Sequence, residues 1–331
     1  MENTAFDFRT AKKTFSRLAL ILCAVLILGT LSQIAVIRIP MLIWGGDNWL
    51  ITSSTGMWIS TFAPLYLIAI PAGLLLFRLI PASEPKTCKI SAKSFLSFVP
   101  MIMFVSYAGN IIGNLLSALL SGGMADNALL DYALDNHPLK VVVMVILAPL
   151  LEEYVFRKQL IDRTRCYGEK TAVLLSGFAF GLFHMNLFQF FYAFAGGCLM
   201  AYLYVRTGRL RYPVILHSIV NFMGSVLAPA ILSLVDLDLL NSMGTGAVPE
   251  EMSEAYARML PGLMIYSLYA LALLGLSVTG LVLLIRRRKR FIWKQTECEL
   301  PRGTAWKTVF GNVGMVLYVV LCLVFIVLSL L

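Results

Sequence analysis

The stretch "APLLEEYVFRKQL", residues 148–160, places two adjacent carboxylates, Glu152 and Glu153, and an arginine, Arg157, inside a long apolar run. The cost of those charges depends on the solvent around them, and the rest of the chain identifies it. The 331 residues are 59% hydrophobic and only 14% charged, with mean hydropathy +0.81. Soluble domains are about 45–50% apolar and about 25% charged. A bilayer crossing needs about 20 apolar residues. Within hydrocarbon every backbone N–H and C=O must find a partner in its own segment, which makes each crossing a helix. The expected fold class is therefore all-α, a polytopic transmembrane helical bundle forming a single integral membrane domain over residues 1–331.

Nine candidate spans follow, at 17–38, 57–80, 94–121, 139–163, 170–185, 187–206, 212–235, 261–286 and 308–331. The opening stretch lies in the fourth. Its charges sit about 13 residues into the span, or about 20 Å at 1.5 Å per residue. Ionisable groups at such depth are costly and mark functional sites by default.

The formal net charge is +9, but its distribution argues against nucleic acid. Of the 27 basic residues, 24 fall in the N-terminal arm and in every second loop, ending with the tract "RRRKR" at 286–290. Only Arg38, Lys140 and Arg258 lie in the alternate loops. Those loops carry Asp47, Asp126, Asp131, Asp135, Asp236, Asp238, Glu250, Glu251 and Glu254. This alternation is the positive-inside pattern. It predicts a cytoplasmic N-terminus and basic flanks that favour an anionic inner leaflet. None of the six cysteines falls in an acidic loop, and none is paired at a metal-type spacing, so no disulfide is expected. The N-terminal apolar run lacks a small-residue cleavage site and reads as an uncleaved first span. There is no internal repeat, which weighs against a transporter built from inverted halves. The acidic segment 236–260 is long enough for a short surface helix.

The strongly polar groups of the spans in the second half are few. Glu153 and Arg157 are four apart on one helical face and can form an ion pair. Glu152 is turned about 100° away and is left as a lone carboxylate, suited to act as a general base. Pro149, just before the pair, removes a backbone donor and frees a carbonyl. In "FAFGLFHMN" (178–186), Phe180 and His184 share a face, and Gly177 and Gly181 permit close helix contact. In "PVILHSIVNF" (213–222), His217 and Asn221 share a face and present two donors of the kind an oxyanion requires. His217 stands near the basic end of its span. With the depth of Glu152, this places one site in the inner half, opening towards the cytoplasm or the inner leaflet. His137, in an acidic loop, is assigned no role. Asn110 and Asn114 read as helix–helix hydrogen-bonding groups. Phe188, Phe190, Phe191 and Tyr192 read as packing residues or as the wall of a groove.

Three of these segments together resemble a known family. "EEYVFR" fits EExxxR, "FGLFH" fits FxxxH and "HSIVN" fits HxxxN, in that order and each on its own span. This is similar to the signature of the CAAX prenyl protease and bacteriocin-processing (CPBP, or Abi) family of intramembrane endopeptidases. The resemblance covers about 139–225 and implies a CAAX-protease-like catalytic core there. It implies that Glu152 and His184 activate a water, that His217 and Asn221 stabilise the oxyanion, and that Glu153, Arg157 and Phe180 support them. Many members have Gly after the motif arginine, where this chain has Lys158.

The implied activity is hydrolysis of a peptide bond in a membrane-associated substrate, either prenylated or a pro-peptide. No cofactor is required by this chemistry. Zinc is the alternative, with Glu152, His184 and His217 as a two-histidine, one-carboxylate ligand set. A non-catalytic scaffold or bacteriocin immunity factor, using the polar cluster as structural glue, is the rival reading. The compact loops favour a bacterial plasma membrane.

Overall fold

The computed structural model describes residues 7–236, 239–240 and 250–331. Asp238, one of the acidic-loop residues, lies outside them. Within the described residues the chain is built mainly of ten helices, and each expected span falls largely on one of them, the ninth only from Val313. The helices are α1 (Phe8–Trp44), α2 (Ser54–Phe77), α3 (Ala92–Ser121), the short loop helix α4 (Ala128–Leu134), α5 (141–164), α6 (Glu169–Phe183), α7 (Leu187–Thr207), α8 (Arg211–Leu232), α9 (Glu250–Arg287) and α10 (Val313–Leu328). Six of the described helices are long and apolar enough to cross a membrane: α1, α2, α3, α7, α8 and α9.

The remaining three expected spans depart for physical reasons. Helix α5 carries Glu152, Glu153, Arg157 and Asp162 along its length. Helix α6 has only 15 residues, and α10 only 16. In the acidic segment 236–260 the described residues Leu239 and Leu240 are helical, and from Glu250 the segment is the first turns of α9.

Small residues set how closely the central helices approach. A Cβ on Gly109 of α3 would lie 2.5 Å from the backbone nitrogen of Tyr192, and one on Gly113 would lie 2.5 Å from the carbonyl oxygen of Leu187. Helices α3 and α7 therefore touch backbone to backbone. Gly177 of α6 meets Cys198 and the carbonyl of Phe194, and Gly181 lies against the carbonyl of Phe190. The small-residue reading of α6 thus finds its partner in α7. Helix α1 packs on α2 and α10, and α9 packs on α3. The motif helices α5, α6, α7 and α8 adjoin one another in the same bundle.

Helix α5 is not a uniform α-helix. It widens into π turns at Val141–Leu147 and Tyr154–Gln159, on either side of the Glu-Glu pair. Such turns recur at functional sites. In the first, the Ala148 N–H bonds the carbonyl of Val143, five residues back. The next donor in that register would come from position 149 to Met144. Pro149 has no N–H, so the Met144 carbonyl is left open to another helix.

Replacing Gly109 by Ala forces a methyl group against backbone that cannot move aside. Gly109→Ala is expected to lower stability by about 1–3 kcal/mol, whereas Gly275→Ala, with nothing within 4 Å, should leave it unchanged or raise it. Thermal unfolding of the two variants in detergent checks this.

Candidate active site

Arg157 and Glu153 are both fully buried. They pair as the four-residue spacing predicts, with Nε to Oε2 at 2.7 Å and Nη2 to Oε1 at 3.0 Å. The third arm of the guanidinium donates to Ser176 Oγ on α6 at 2.7 Å, and Ser176 donates to the carbonyl of Phe156 at 2.8 Å. The Phe180 ring lies 4.9 Å from the guanidinium carbon. A buried charge needs this degree of satisfaction.

Glu153 has a second partner. His217 Nδ1 lies 3.1 Å from its Oε1. A carboxylate accepts, so the proton sits on Nδ1 and the other ring nitrogen is turned away from the pair. That nitrogen, Nε2, lies 3.9 Å from Glu152 Oε2. Four residues on, Asn221 Nδ2 donates to the freed carbonyl of Met144 at 2.8 Å. One of its two amide hydrogens is used there, and the side chain still lines the central cavity.

Glu152 faces that cavity rather than the arginine. Its Oε1 accepts from Tyr66 Oη at 2.7 Å. On α6, His184 Nδ1 bonds the Phe180 carbonyl at 2.8 Å. A carbonyl can only accept, so Nδ1 carries the proton and Nε2 keeps a lone pair. Phe180 fixes both imidazoles edge to face, with ring centroids 4.8 Å from His184 and 5.6 Å from His217. The sequence-predicted set Glu152, His184, His217 and Asn221 therefore converges on one cavity of about 530 Å³. Glu153, Arg157 and Phe180 stand behind it.

On the basic side of the cavity the interior is filled. Between the cavity and the basic end lie the buried Arg157–Glu153–Ser176 cluster and, one turn on, Asp162. Asp162 accepts from Tyr204 Oη at 3.0 Å and from Lys158 Nζ at 2.8 Å. The cavity extends the other way, to Asn110, Asn127, Leu130 and Ala228 near the acidic loops.

The sequence reading missed Tyr66. It lies on α2, 86 residues before Glu152, and no local pattern joins the two. The one signal is its register: Trp58, Phe62 and Tyr66 repeat every four residues, and their rings stack in series. His137, which received no role, joins the loop after α4 to the start of α2. Its Nδ1 accepts the Leu139 N–H at 3.2 Å, so Nε2 donates to Thr55 Oγ1 at 2.8 Å. Beside it, Asp135 accepts from Trp58 Nε1 at 2.7 Å and from Ser54 Oγ at 3.1 Å. The indole bond is the chief cause holding the Asp135 carboxyl below the usual carboxylate range.

Among the described residues no three His, Cys, Asp or Glu side chains come together as a metal cage. Glu152, His184 and His217 all line the one cavity.

The profile of the Type II CAAX prenyl endopeptidase Rce1-like family matches residues 135–223, which contain this whole cluster except Tyr66. Over this segment the chain is similar to the CPBP family. Among curated proteins, the chain is 35% identical over 98 residues to the Bacillus subtilis protein named "Putative membrane peptidase YdiL". It is 33% identical over 100 residues to "CAAX prenyl protease 2" of Homo sapiens. The aligned stretches are 28% and 24% of this chain and span 38% and 30% of the lengths of those relatives. No solved structure matches the chain. The match covers α5 to most of α8, which carry Glu152, His184, His217 and Asn221; the cavity-lining residues of α2, α3 and α4 lie outside it.

Removing the guanidinium leaves Glu153 as a buried charge with one histidine beside it. Arg157→Ala is expected to cost about 3–5 kcal/mol. Arg157→Lys should recover only part of this, because an ammonium cannot fork across Glu153 and Ser176 together. Detergent-resistant folded yield and thermal midpoints of the two variants test the expectation.

Proposed function

We propose that this protein is an intramembrane endopeptidase that hydrolyses a peptide bond in a membrane-associated substrate, using a water activated by Glu152. The convergence of Glu152, His184 and His217 on one enclosed, mainly apolar cavity carries the reading. The CPBP match over the same helices supports it.

The chemistry follows from the hydrogen bonds. A water beside Glu152 Oε2 gives its proton to the carboxylate as its oxygen attacks the scissile carbonyl. His184, with its Nε2 lone pair directed by the Nδ1–Phe180 bond, holds the second hydrogen of that water. As the carbonyl oxygen gains charge, it needs donors already in place. A protonated His217, held from behind by Glu153, offers Nε2–H, and Asn221 offers its unused amide hydrogen. Glu152 then returns its proton to the leaving amine. Tyr66 holds the other carboxylate oxygen throughout, which fixes the rotation of the base. Glu153 and Arg157 compensate each other and keep the positive ring of His217 acceptable in an apolar interior. None of these steps calls on a metal ion.

Loss of the general base is expected to cost about 10²–10⁴ in rate. Glu152→Gln should abolish the cleavage products seen with the wild type when membranes from cells making equal amounts of each protein are compared by terminal-peptide proteomics. Identical product profiles would sink the protease reading and leave a scaffold held together by the same polar cluster. If cleavage is found, a zinc chelator should leave it unchanged, and loss with chelator followed by recovery on adding zinc would overturn the metal-free chemistry. Tyr66→Phe removes one bond to a charged acceptor and is expected to lower kcat about tenfold or more with little change in folded yield.

A further inference from the structure

A second hollow lies outside the central cavity, at the basic-loop end of the bundle. It holds about 310 Å³ and is walled by the first turns of α6, the second half of α7, Val105 of α3 and the chain that follows α9. It shares no lining residue with the cavity around Glu152. Helix α7 divides the two, presenting Met200 to the central cavity and Leu199 and Tyr202 to this one. The hollow is open on its flank, where Leu174 is 46% and Trp293 38% exposed. Its α7 wall runs from Ala195 to Tyr202, which is about 10 Å along a helix. In a membrane this is a slot that leads from the interface part-way into the hydrocarbon.

The chain after α9 is clasped over the slot. Past the tract 286–290, Phe291 and Trp293 both pack on Tyr202, with ring centroids 4.8 and 5.3 Å away. Tyr202 Oη donates to the carbonyl of Arg290 at 3.4 Å, and the Lys294 N–H donates to Glu169 at 2.8 Å. The clasp is thus pinned at both of its ends. The wall between is apolar, and the thiol of Cys198 is turned to the carbonyl of Val173 at 3.9 Å.

The rim of the slot is cationic. Lys170 lines it and is exposed. Arg290 stands next to Phe291. The nearby carboxylates are occupied: Glu169 is buried against Arg206 and the Lys294 N–H, and Glu299 lies against Gly168 and accepts from the Thr296 N–H at 3.4 Å. Among the described residues, Lys170, Arg288, Lys289 and Arg290 form no ion pair, and the indole N–H of Trp293 has no acceptor. Any apolar slot in a bilayer fills with chain. Unpaired cations and an indole at headgroup level select the head that the chain carries.

We propose that this slot binds one anionic phospholipid of the basic-side leaflet, with an acyl chain against Val173, Leu199 and Tyr202 and its phosphate held by Lys170 and Arg290. The lipid then bridges α6, α7 and the chain after α9, and it does so whether or not the central cavity is an active site.

Trp293 is the probe for the test, because bromine atoms on an acyl chain quench a tryptophan that they touch. The chain has five tryptophans. Trp58 is buried, and replacing Trp44, Trp49 and Trp306 by Phe leaves Trp293 as the one that lipid can reach. The protein is placed in phosphatidylcholine vesicles that contain an equal small fraction of either brominated phosphatidylglycerol or brominated phosphatidylcholine. Half-maximal quenching is expected at a severalfold lower fraction of the phosphatidylglycerol. Lys170→Gln and Arg290→Gln should each raise that fraction about fivefold, and together they should abolish the preference. Equal quenching by the two lipids makes the slot ordinary lipid contact and overturns the proposal. So does a preference that survives in the double variant. Relief of quenching by inorganic phosphate would make it a site for the free anion, and relief by a neutral farnesyl ester as strong as that by unbrominated phosphatidylglycerol would make it a slot for any chain; either result overturns the proposal as well. If the three Phe substitutions impair folding, native mass spectrometry of the otherwise unaltered chain, in detergent with equimolar phosphatidylglycerol and phosphatidylcholine, decides instead. One phosphatidylglycerol retained in preference per chain, and lost in the Lys170→Gln, Arg290→Gln double variant, is the expected result; equal retention of the two lipids overturns it.

Discussion

The ion pair between Arg157 and Glu153 is the constraint around which the site is arranged. Both side chains are removed from solvent, and a lone charge there would be expelled or neutralised. The guanidinium avoids this by dividing its donors between a carboxylate on its own helix and a hydroxyl on α6. Glu153 divides its acceptors between that guanidinium and the imidazole of His217 on α8. Three of the helices around the site are thereby held in register by one set of charge-assisted hydrogen bonds. Removing any member leaves the others unsatisfied, which costs far more than the net strength of one bond.

Phe180 does for packing what Arg157 does for charge. Its ring meets the guanidinium, both imidazoles and Phe156, whose ring centroid is 5.1 Å away. Its carbonyl fixes the tautomer of His184. One residue thus sets the orientation of two histidines through its ring and of one through its backbone. The wide turns of α5 make a comparable contribution from the backbone side. They let a helix with Pro149 at its middle pass a carbonyl across to Asn221 instead of leaving it unpaired.

Local spacing explains what could be read from the sequence. The Glu153–Arg157 pair, the Phe180–His184 stack and the shared face of His217 and Asn221 are all four-residue relations within one helix, and each is present. The helical class followed from composition. Relations between distant helices were not legible. Tyr66 reaches Glu152 across 86 residues, and nothing near either one announces the other. Ser176 looked like any small residue on α6. Asp162 and Arg163, near the basic end of α5, are buried, which nothing local in the sequence announces.

The loop after α4 and the Glu152 carboxylate share a single support. Helix α2 carries Thr55, Trp58 and Thr61, which bond His137 and Asp135 in that loop and Tyr132 on α4, and two turns further on it carries Tyr66, which bonds Glu152. The stacked rings of Trp58, Phe62 and Tyr66 stiffen the stretch between them. Any tilt of this rod that strains its bonds to the loop also shifts the phenol against the Glu152 carboxylate, so the two ends of α2 are mechanically linked.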